Sequence, residues 1–182
     1  MRIFIKSNTY IYLAILLLAL PVQWVSAWVV SIVFHEFFHW FAVKLCGGTV
    51  YRLDVELVGA EMRCSNLPER CRLFAILCGP IGGIALVCLG RWFPRIAICS
   101  FLLSVYNLLP VLPFDGGQAM EILLKSKKSF DIIQKIFLLV VILLALFATF
   151  YLNLGVLPSV VALGICLKHR KRPCKEDICR VQ

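Results

Sequence analysis

The sequence predicts an all-α polytopic membrane protein with about six transmembrane helices and a small membrane-associated β-hairpin after the second. The first observation is composition: of 182 residues, 61% are hydrophobic and only 16% are charged, and the mean hydropathy is +0.90. The second is that apolar runs long enough to cross a bilayer recur along the chain. The third is that Lys and Arg concentrate in short segments between these runs, as they do in the cytosolic loops of membrane proteins.

The N-terminal apolar run is too long for one span. No residue between Ser7 and Phe34 is charged, and the apolar run continues to Val43. A single helix of this length would be roughly 55 Å long, against a hydrocarbon core of about 30 Å. The sequence therefore predicts two short spans with a turn near Pro21-Val22-Gln23.

A cleaved signal peptide is the alternative interpretation of this run. Arg2 and Lys6 precede an apolar core, and Val25-Ser26-Ala27 resembles a cleavage site. Because the next residues begin another apolar span, we expect the first span to be retained.

Four more apolar spans bring the total to six, and the basic residues orient them. These spans cover residues 73–90, 96–112, 136–152 and 154–167. If the N-terminus is cytosolic, all 19 Lys and Arg residues except Arg91 and Arg95 lie on the cytosolic side. The positive-inside rule therefore predicts a multi-pass protein, expected in a bacterial cytoplasmic membrane, with both termini in the cytosol.

Residues 1–167 then form one intramembrane domain, followed by a short basic cytosolic tail, 168–182. The net charge of +9 is explained by these basic residues, which orient the chain and lie against anionic lipid. Because no other partner is needed to explain the charge, we expect no nucleic-acid partner.

The second span carries a candidate metal motif, His35-Glu36-Phe37-Phe38-His39. Residues four apart lie on one helix face, so both imidazoles can bind one ion. Glu36 is rotated about 100° from His35, beside the ion rather than on it. This is the His-Glu-x-x-His arrangement of zinc hydrolases, with two ligands and a general base. Two histidines that simply pack and hydrogen-bond between helices are the alternative, but ionisable groups at membrane depth persist only when a partner, water or metal compensates them.

The third zinc ligand is expected in the segment "NLLPVLPFDGG", Asn107 to Gly117. The fourth span runs inward like the second, so Asp115 should reach the same depth as the histidines. Pro110 and Pro113 prevent a regular helix there, and a broken helix is tolerated at membrane depth only where it is buried in protein or lines a cavity. An Asp-Gly turn at the membrane surface is the alternative.

The two motifs, their order and their spans resemble the site-2 protease (M50) family of intramembrane zinc metalloproteases. The compact layout is similar to the stage IV sporulation protein FB group, which suggests a role in sporulation, and the resemblance covers roughly residues 10 to 165. It implies one zinc ion per chain bound by His35, His39 and Asp115, with no organic cofactor. It also implies that Glu36 is the catalytic base and that Asn107 holds the substrate backbone or the developing oxyanion. As the alternative, Asn107 merely bonds a neighbouring helix.

The implied activity is that of a metalloendopeptidase. We expect it to cleave a membrane-associated protein near the cytosolic face, for example a membrane-bound transcription factor precursor or an anti-sigma factor. The rival interpretations are a non-catalytic membrane helix-binding regulator or chaperone of the same fold, and a zinc transporter. The sequence has no segment that matches the peptide-binding or nucleotide-sensing domains common in the family, so regulation by such domains is in doubt. Regulatory membrane partners and the oligomeric state stay open.

Two further segments are expected to support the site. In "VYRLDVELVGAEMRC", polar and apolar residues alternate from Arg52 to Leu57, which predicts a hairpin that could add the unwound substrate as a strand. A surface hairpin without a substrate role is the alternative. Gly79 and Gly83 have the small-x-x-x-small spacing that lets helix backbones approach, so we expect the third span to pack against the ligand-bearing spans.

Overall fold

The computed structural model describes residues 2–5, 7–56, 59–124, 126–150, 166 and 179–181. It divides into two compact units, one comprising Met1–Leu108 with Asp177–Gln182 and the other Leu109–Glu176. Apart from residue 166, the expected sixth span lies outside the described residues, as does most of the expected tail.

The described residues of the first unit form four α-helices and a short 3-10 helix. They are α1 (Ser7–Ala19), α2 (Val22–Leu45), α3 (Glu69–Ala85), the 3-10 helix (Leu86–Leu89) and α4 (Pro94–Asn107). The predicted turn near residue 21 is confirmed, because α1 ends at Ala19 and α2 begins directly after Pro21. Proline has no amide hydrogen to continue α1, but its fixed φ suits the entry into a new helix. Pro94 begins α4 in the same way.

The buried face of α2 is unusual because it carries three polar residues from the middle of the helix, Ser31, His35 and His39. It packs against α3 and α4, and its buried side chains are Val25, Ala27, Ser31, His35, His39, Ala42 and Val43. Large apolar side chains such as Val33 and Phe37 are exposed on another face. This distribution suits a helix in lipid, where apolar groups face the acyl chains and polar groups must find partners inside the protein.

Among the described residues, three helical stretches are long and apolar enough to cross a membrane: Val22–Leu45, Glu69–Leu89 and Lys127–Phe147. With 13 and 14 residues, α1 and α4 are about 20 Å long at 1.5 Å per residue. The count of six transmembrane helices therefore stays a prediction.

The predicted hairpin is present, but it belongs to a larger sheet. Strands β2 (Val50–Glu56) and β3 (Gly59–Cys64) pair antiparallel, as expected. The sheet has the order β1-β2-β3-β4, in which β1 (Arg2–Ile5) runs parallel to β2 and β4 (Cys179–Val181) antiparallel to β3. Both outer edges of the hairpin are therefore occupied by other strands of this chain. Addition of a substrate strand, which stays a prediction, would have to use β1 or β4 or displace one of them.

A buried carboxylate ties the sheet together. Asp54 is buried in β2 and accepts a hydrogen bond of 2.6 Å from Arg52 Nε, while Arg63 Nε lies 3.7 Å from its other oxygen. The Arg52 guanidinium also lies 4.2 Å from the ring centroid of Phe4 in β1. A buried charge is tolerated when it is paired and hydrogen-bonded in this way.

The second unit contains α5 (Asp115–Leu123) and α6 (Lys127–Phe150). The segment 109–114 before α5 is not helical, as its prolines predict. Within this unit α5 packs against α6.

Candidate metal centre

The two histidines lie one helical turn apart on α2 and converge at their outer ring nitrogens. His35 is 1% exposed and His39 is fully buried. Their Nε2 atoms are 3.1 Å apart. The i, i+4 spacing in the sequence is therefore realised as a shared direction of two imidazole nitrogens.

A backbone carbonyl orients the ring of His39. Its Nδ1 lies 2.8 Å from the carbonyl oxygen of Ala75 on α3, so Nδ1 carries the hydrogen and donates it. In a neutral imidazole the other nitrogen, Nε2, then keeps its lone pair. Metal-binding histidines are typically held in this way, with the remote nitrogen hydrogen-bonded and the near one directed at the ion.

The separation of the nitrogens suits a metal ion. Zinc–nitrogen bonds of about 2.05 Å at tetrahedral angles separate two nitrogen ligands by about 3.3 Å. The observed 3.1 Å is close to this value. The two imidazoles therefore fit zinc in donor type, orientation and spacing.

Gly79 makes the room for His39. A Cβ atom on Gly79 would overlap the His39 ring, Nε2 included, and one on Gly82 would overlap the ring of Phe38. Likewise, a Cβ on Gly83 would overlap the Ser104 hydroxyl of α4. The expected packing role of the Gly79/Gly83 spacing is confirmed, and Gly79 additionally fixes where a candidate ligand lies.

We expect Gly79→Ala to reduce zinc binding strongly while Gly82→Ala does not. Both substitutions add one methyl group to the same face of α3 and displace an α2 ring, but only Gly79→Ala displaces a nitrogen offered to the metal. Zinc content after equilibrium dialysis against buffered zinc, measured by mass spectrometry, compares the two purified variants. Equal zinc content in both would show that the His39 position does not matter for the metal.

Asn107 is brought to the histidines by α4. It is the last residue of that helix, and its Nδ2 lies 3.1 Å from His35 Nε2. The same His35 nitrogen lies 3.1 Å from His39 Nε2, so Asn107 contacts the point where the two imidazoles converge.

Three buried serines, Ser31, Ser100 and Ser104, form a hydrogen-bonded ladder that joins α2 to α4 one helical turn before His35. The sequence interpretation missed this ladder. Ser100 Oγ donates to Ser31 Oγ at 2.9 Å, and Ser31 Oγ donates to the carbonyl oxygen of Ala27 at 2.8 Å. Ser104 Oγ donates to the carbonyl oxygen of Ser100 at 2.8 Å. Ser31 precedes His35 by one turn, so the ladder sets how α4 presents Asn107. Its only sequence signal is small polar residues at helical spacing within apolar spans.

Asp115 opens α5 in the second unit and is buried. Two buried amides that the sequence interpretation also missed hold the segment before it. Gln118 Nε2 donates to the carbonyl oxygen of Pro113 at 2.9 Å, and Gln134 Oε1 accepts from the Leu112 amide at 3.3 Å. A Cβ on Gly117 would overlap the backbone of Val111 and Leu112, so the glycine lets α5 start against this segment.

His35 and His39 in the first unit and Asp115 in the second each offer an atom of a type that binds metal ions. All three are buried. Glu36 follows His35 on α2 and is half-buried. The roles assigned to these residues and to Asn107 from the sequence stay predictions.

Three comparisons with known proteins show what this chain is similar to. The family model described as Peptidase family M50 matches residues 79–148. The solved structure of the site-2 protease from Methanocaldococcus jannaschii has a TM-score of 0.68 and 20% sequence identity, and the match covers 96% of this chain and 93% of that one. The fold is therefore that of a site-2 protease.

A curated relative, zinc metalloprotease MJ0392 of Methanocaldococcus jannaschii, is 25% identical over 112 residues. The match covers 54% of this chain and 33% of the relative, so the chain spans about a third of the relative's length. Part of the chain is therefore similar to peptidase family M50 in sequence, and its fold is similar to that of a site-2 protease. These comparisons support the resemblance that the His-Glu-x-x-His and Asp-Gly motifs suggest.

Proposed function

We propose that this chain is a zinc-dependent intramembrane endopeptidase that hydrolyses a peptide bond in a membrane-associated protein. The observation that carries the proposal is the pair of buried imidazole nitrogens 3.1 Å apart on an apolar helix. The match of residues 79–148 to the model of peptidase family M50 and the likeness to a zinc metalloprotease support the reaction class and the metal.

In this proposal His35, His39 and Asp115 hold one zinc ion per chain. Two imidazoles and one carboxylate are a donor set that catalytic zinc sites use, with one position left for water. When bound, the ion polarises the scissile carbonyl and acidifies the attacking water.

Glu36 and Asn107 act on the substrate directly. Glu36 lies beside the ligand pair, half-buried, where its carboxylate takes the proton of the attacking water and passes it to the leaving amine. Asn107 Nδ2 lies 3.1 Å from His35 Nε2. Its amide is therefore close enough to the proposed metal ligands to hydrogen-bond the substrate backbone or the oxygen that gains charge in the transition state.

The substrate class follows from where the histidines lie. They are buried in the C-terminal half of a 24-residue apolar helix, so the scissile bond must come to the centre from a membrane-associated segment. A helical segment hides its carbonyls in its own hydrogen bonds and must unwind before cleavage, with the enzyme supplying partners. A membrane-bound transcription factor precursor or an anti-sigma factor, cut near the cytosolic face of a bacterial membrane, has these properties, and the sporulation role belongs to the same proposal.

Removal of zinc is expected to stop cleavage, and its return to restore it. The chain is reconstituted with a panel of tagged single-span substrates, stripped with a chelator, dialysed and reloaded with one equivalent of zinc. Cleavage is read by gel and the cut site by mass spectrometry. Cleavage that survives the loss of zinc would refute the metalloprotease proposal, and binding of the substrates without cleavage by zinc-loaded protein would favour the helix-binding alternative.

A further inference from the structure

Two arginines stand apart from every other charge in the chain. Arg91 and Arg95 are the only charged residues between Leu73 and Phe114. In the orientation predicted from the basic residues, they are the two that lie on the side opposite the cytosol. Both are exposed, and among the described residues neither forms an ion pair with an acidic side chain. An unneutralised arginine beside transmembrane helices attracts an anion.

Arg95 lines a cavity of about 300 Å³ at the N-terminal end of α2. The cavity is bounded by Gln23 and Ser26 from the first turns of α2 and by Trp92, Phe93 and Arg95 from the connection into α4. Arg91, four residues earlier, does not line it. The cavity thus combines a guanidinium and an amide, both hydrogen-bond donors, with aromatic rings of the kind that settle at membrane interfaces.

An apolar strip of α2 continues from this cavity. Val30, one turn after Ser26, also lines the cavity. Val33 and Phe37 follow on the same helix face and are 60% and 48% exposed. A cavity with three polar side chains in a largely apolar lining therefore leads onto an exposed apolar surface along α2.

We propose that this pocket binds the phosphate headgroup of an anionic phospholipid, whose acyl chain lies over Val30, Val33 and Phe37. The planar guanidinium of Arg95 donates paired hydrogen bonds to the phosphate, a geometry that arginine favours, and the Gln23 amide adds a further donor. The larger cavity of about 470 Å³, between α1, α2 and α4, contains no charged side chain in its lining and would accept acyl chains without selecting a headgroup. Charge complementarity therefore singles out the pocket of Arg95.

The test compares Arg95→Gln with Arg91→Gln in the full chain. Each protein is reconstituted in nanodiscs of equal parts phosphatidylglycerol and phosphatidylcholine, extracted in mild detergent, and analysed by native mass spectrometry. We expect Arg95→Gln to reduce the phosphatidylglycerol retained by about ten-fold, the change that follows from losing one hydrogen bond to a charged group. Arg91→Gln, with the same change of charge outside the pocket, should retain as much as the parent protein, and Arg95→Lys should retain an intermediate amount. Equal losses in the two glutamine variants would overturn the proposal.

Two further arms separate the headgroup from free phosphate and from other occupants of the strip. Millimolar inorganic phosphate should not displace the bound lipid; displacement would show a free-anion site instead. A phosphatidylglycerol with a photoactivatable acyl chain should label Val30, Val33 or Phe37 in the parent protein. If Arg95→Gln does not fold, the labelling pattern of the parent protein tests the proposal by itself. Labelling only at Leu16, Trp28 or Leu102 would contradict the proposed position of the acyl chain.

Discussion

Replacing Glu36 with Gln is expected to abolish cleavage while zinc stays bound. Glutamine keeps the shape of the side chain but cannot take a proton from the attacking water. Proton transfer by a positioned side chain contributes typically 10²–10⁴-fold, so we expect kcat/KM to fall by about 10³-fold. Zinc content should be unchanged, because the three proposed ligands, two imidazoles and the Asp115 carboxylate, remain in place.

The measurement pairs kcat/KM on a tagged membrane substrate with zinc content by mass spectrometry. Glu69→Gln, an exposed glutamate in the first turn of α3, is the matched control and should cleave like the parent protein. Cleavage by Glu36→Gln within two-fold of the parent value would eliminate Glu36 as the base. Loss of zinc together with activity would instead show that Glu36 acts as a ligand or supports one.

The sequence predicted the parts of the site that depend on local helix geometry. His35 and His39 are four residues apart within one uninterrupted helix, so the helix period alone places their nitrogens together. Pro110 and Pro113 keep the segment between α4 and α5 from being helical for a reason equally local, the missing amide hydrogens. Such inferences need no knowledge of what packs against the segment.

Most of the parts that the sequence did not predict depend on distant partners. The carbonyl of Ala75 that orients His39 is an ordinary backbone group whose role arises only from the packing of α3 on α2. The serine bond between Ser31 and Ser100 joins residues 69 positions apart. Strands β1 and β4 come from opposite ends of the chain, and their pairing with the hairpin has no local pattern.

The polar residues of α2 carry more structural information than its hydrophobic ones. In a soluble helix, apolar periodicity marks the buried face, but α2 is apolar on all sides. Here the buried face is marked by Ser31, His35 and His39, because polar groups at membrane depth must find partners in the protein. The same rule explains why Gln134 on the apolar helix α6 is buried and hydrogen-bonded to the segment that leads to Asp115.

Asp115→Ala is expected to lose both zinc and cleavage. The carboxylate is the third proposed ligand, and two imidazoles alone bind zinc poorly because a catalytic site needs three protein ligands. Loss of an outer hydrogen-bond partner already costs about 10–100-fold in metal affinity. Loss of a direct ligand should therefore weaken zinc binding by more than about 100-fold, read as the zinc dissociation constant in competition with a fluorescent chelator.

Two companion variants separate loss of a ligand from loss of structure. Glu121→Gln changes an exposed acid on the same short helix and should leave zinc and cleavage unchanged. Asp115→His replaces one zinc ligand with another and should recover part of the zinc affinity if the position faces the ion. Because α5 begins at Asp115, each variant is also compared by circular dichroism and thermal unfolding. Zinc bound by a folded Asp115→Ala protein as tightly as by the parent protein would mean that the third ligand lies elsewhere, since a catalytic zinc site uses three protein ligands and α2 supplies only two.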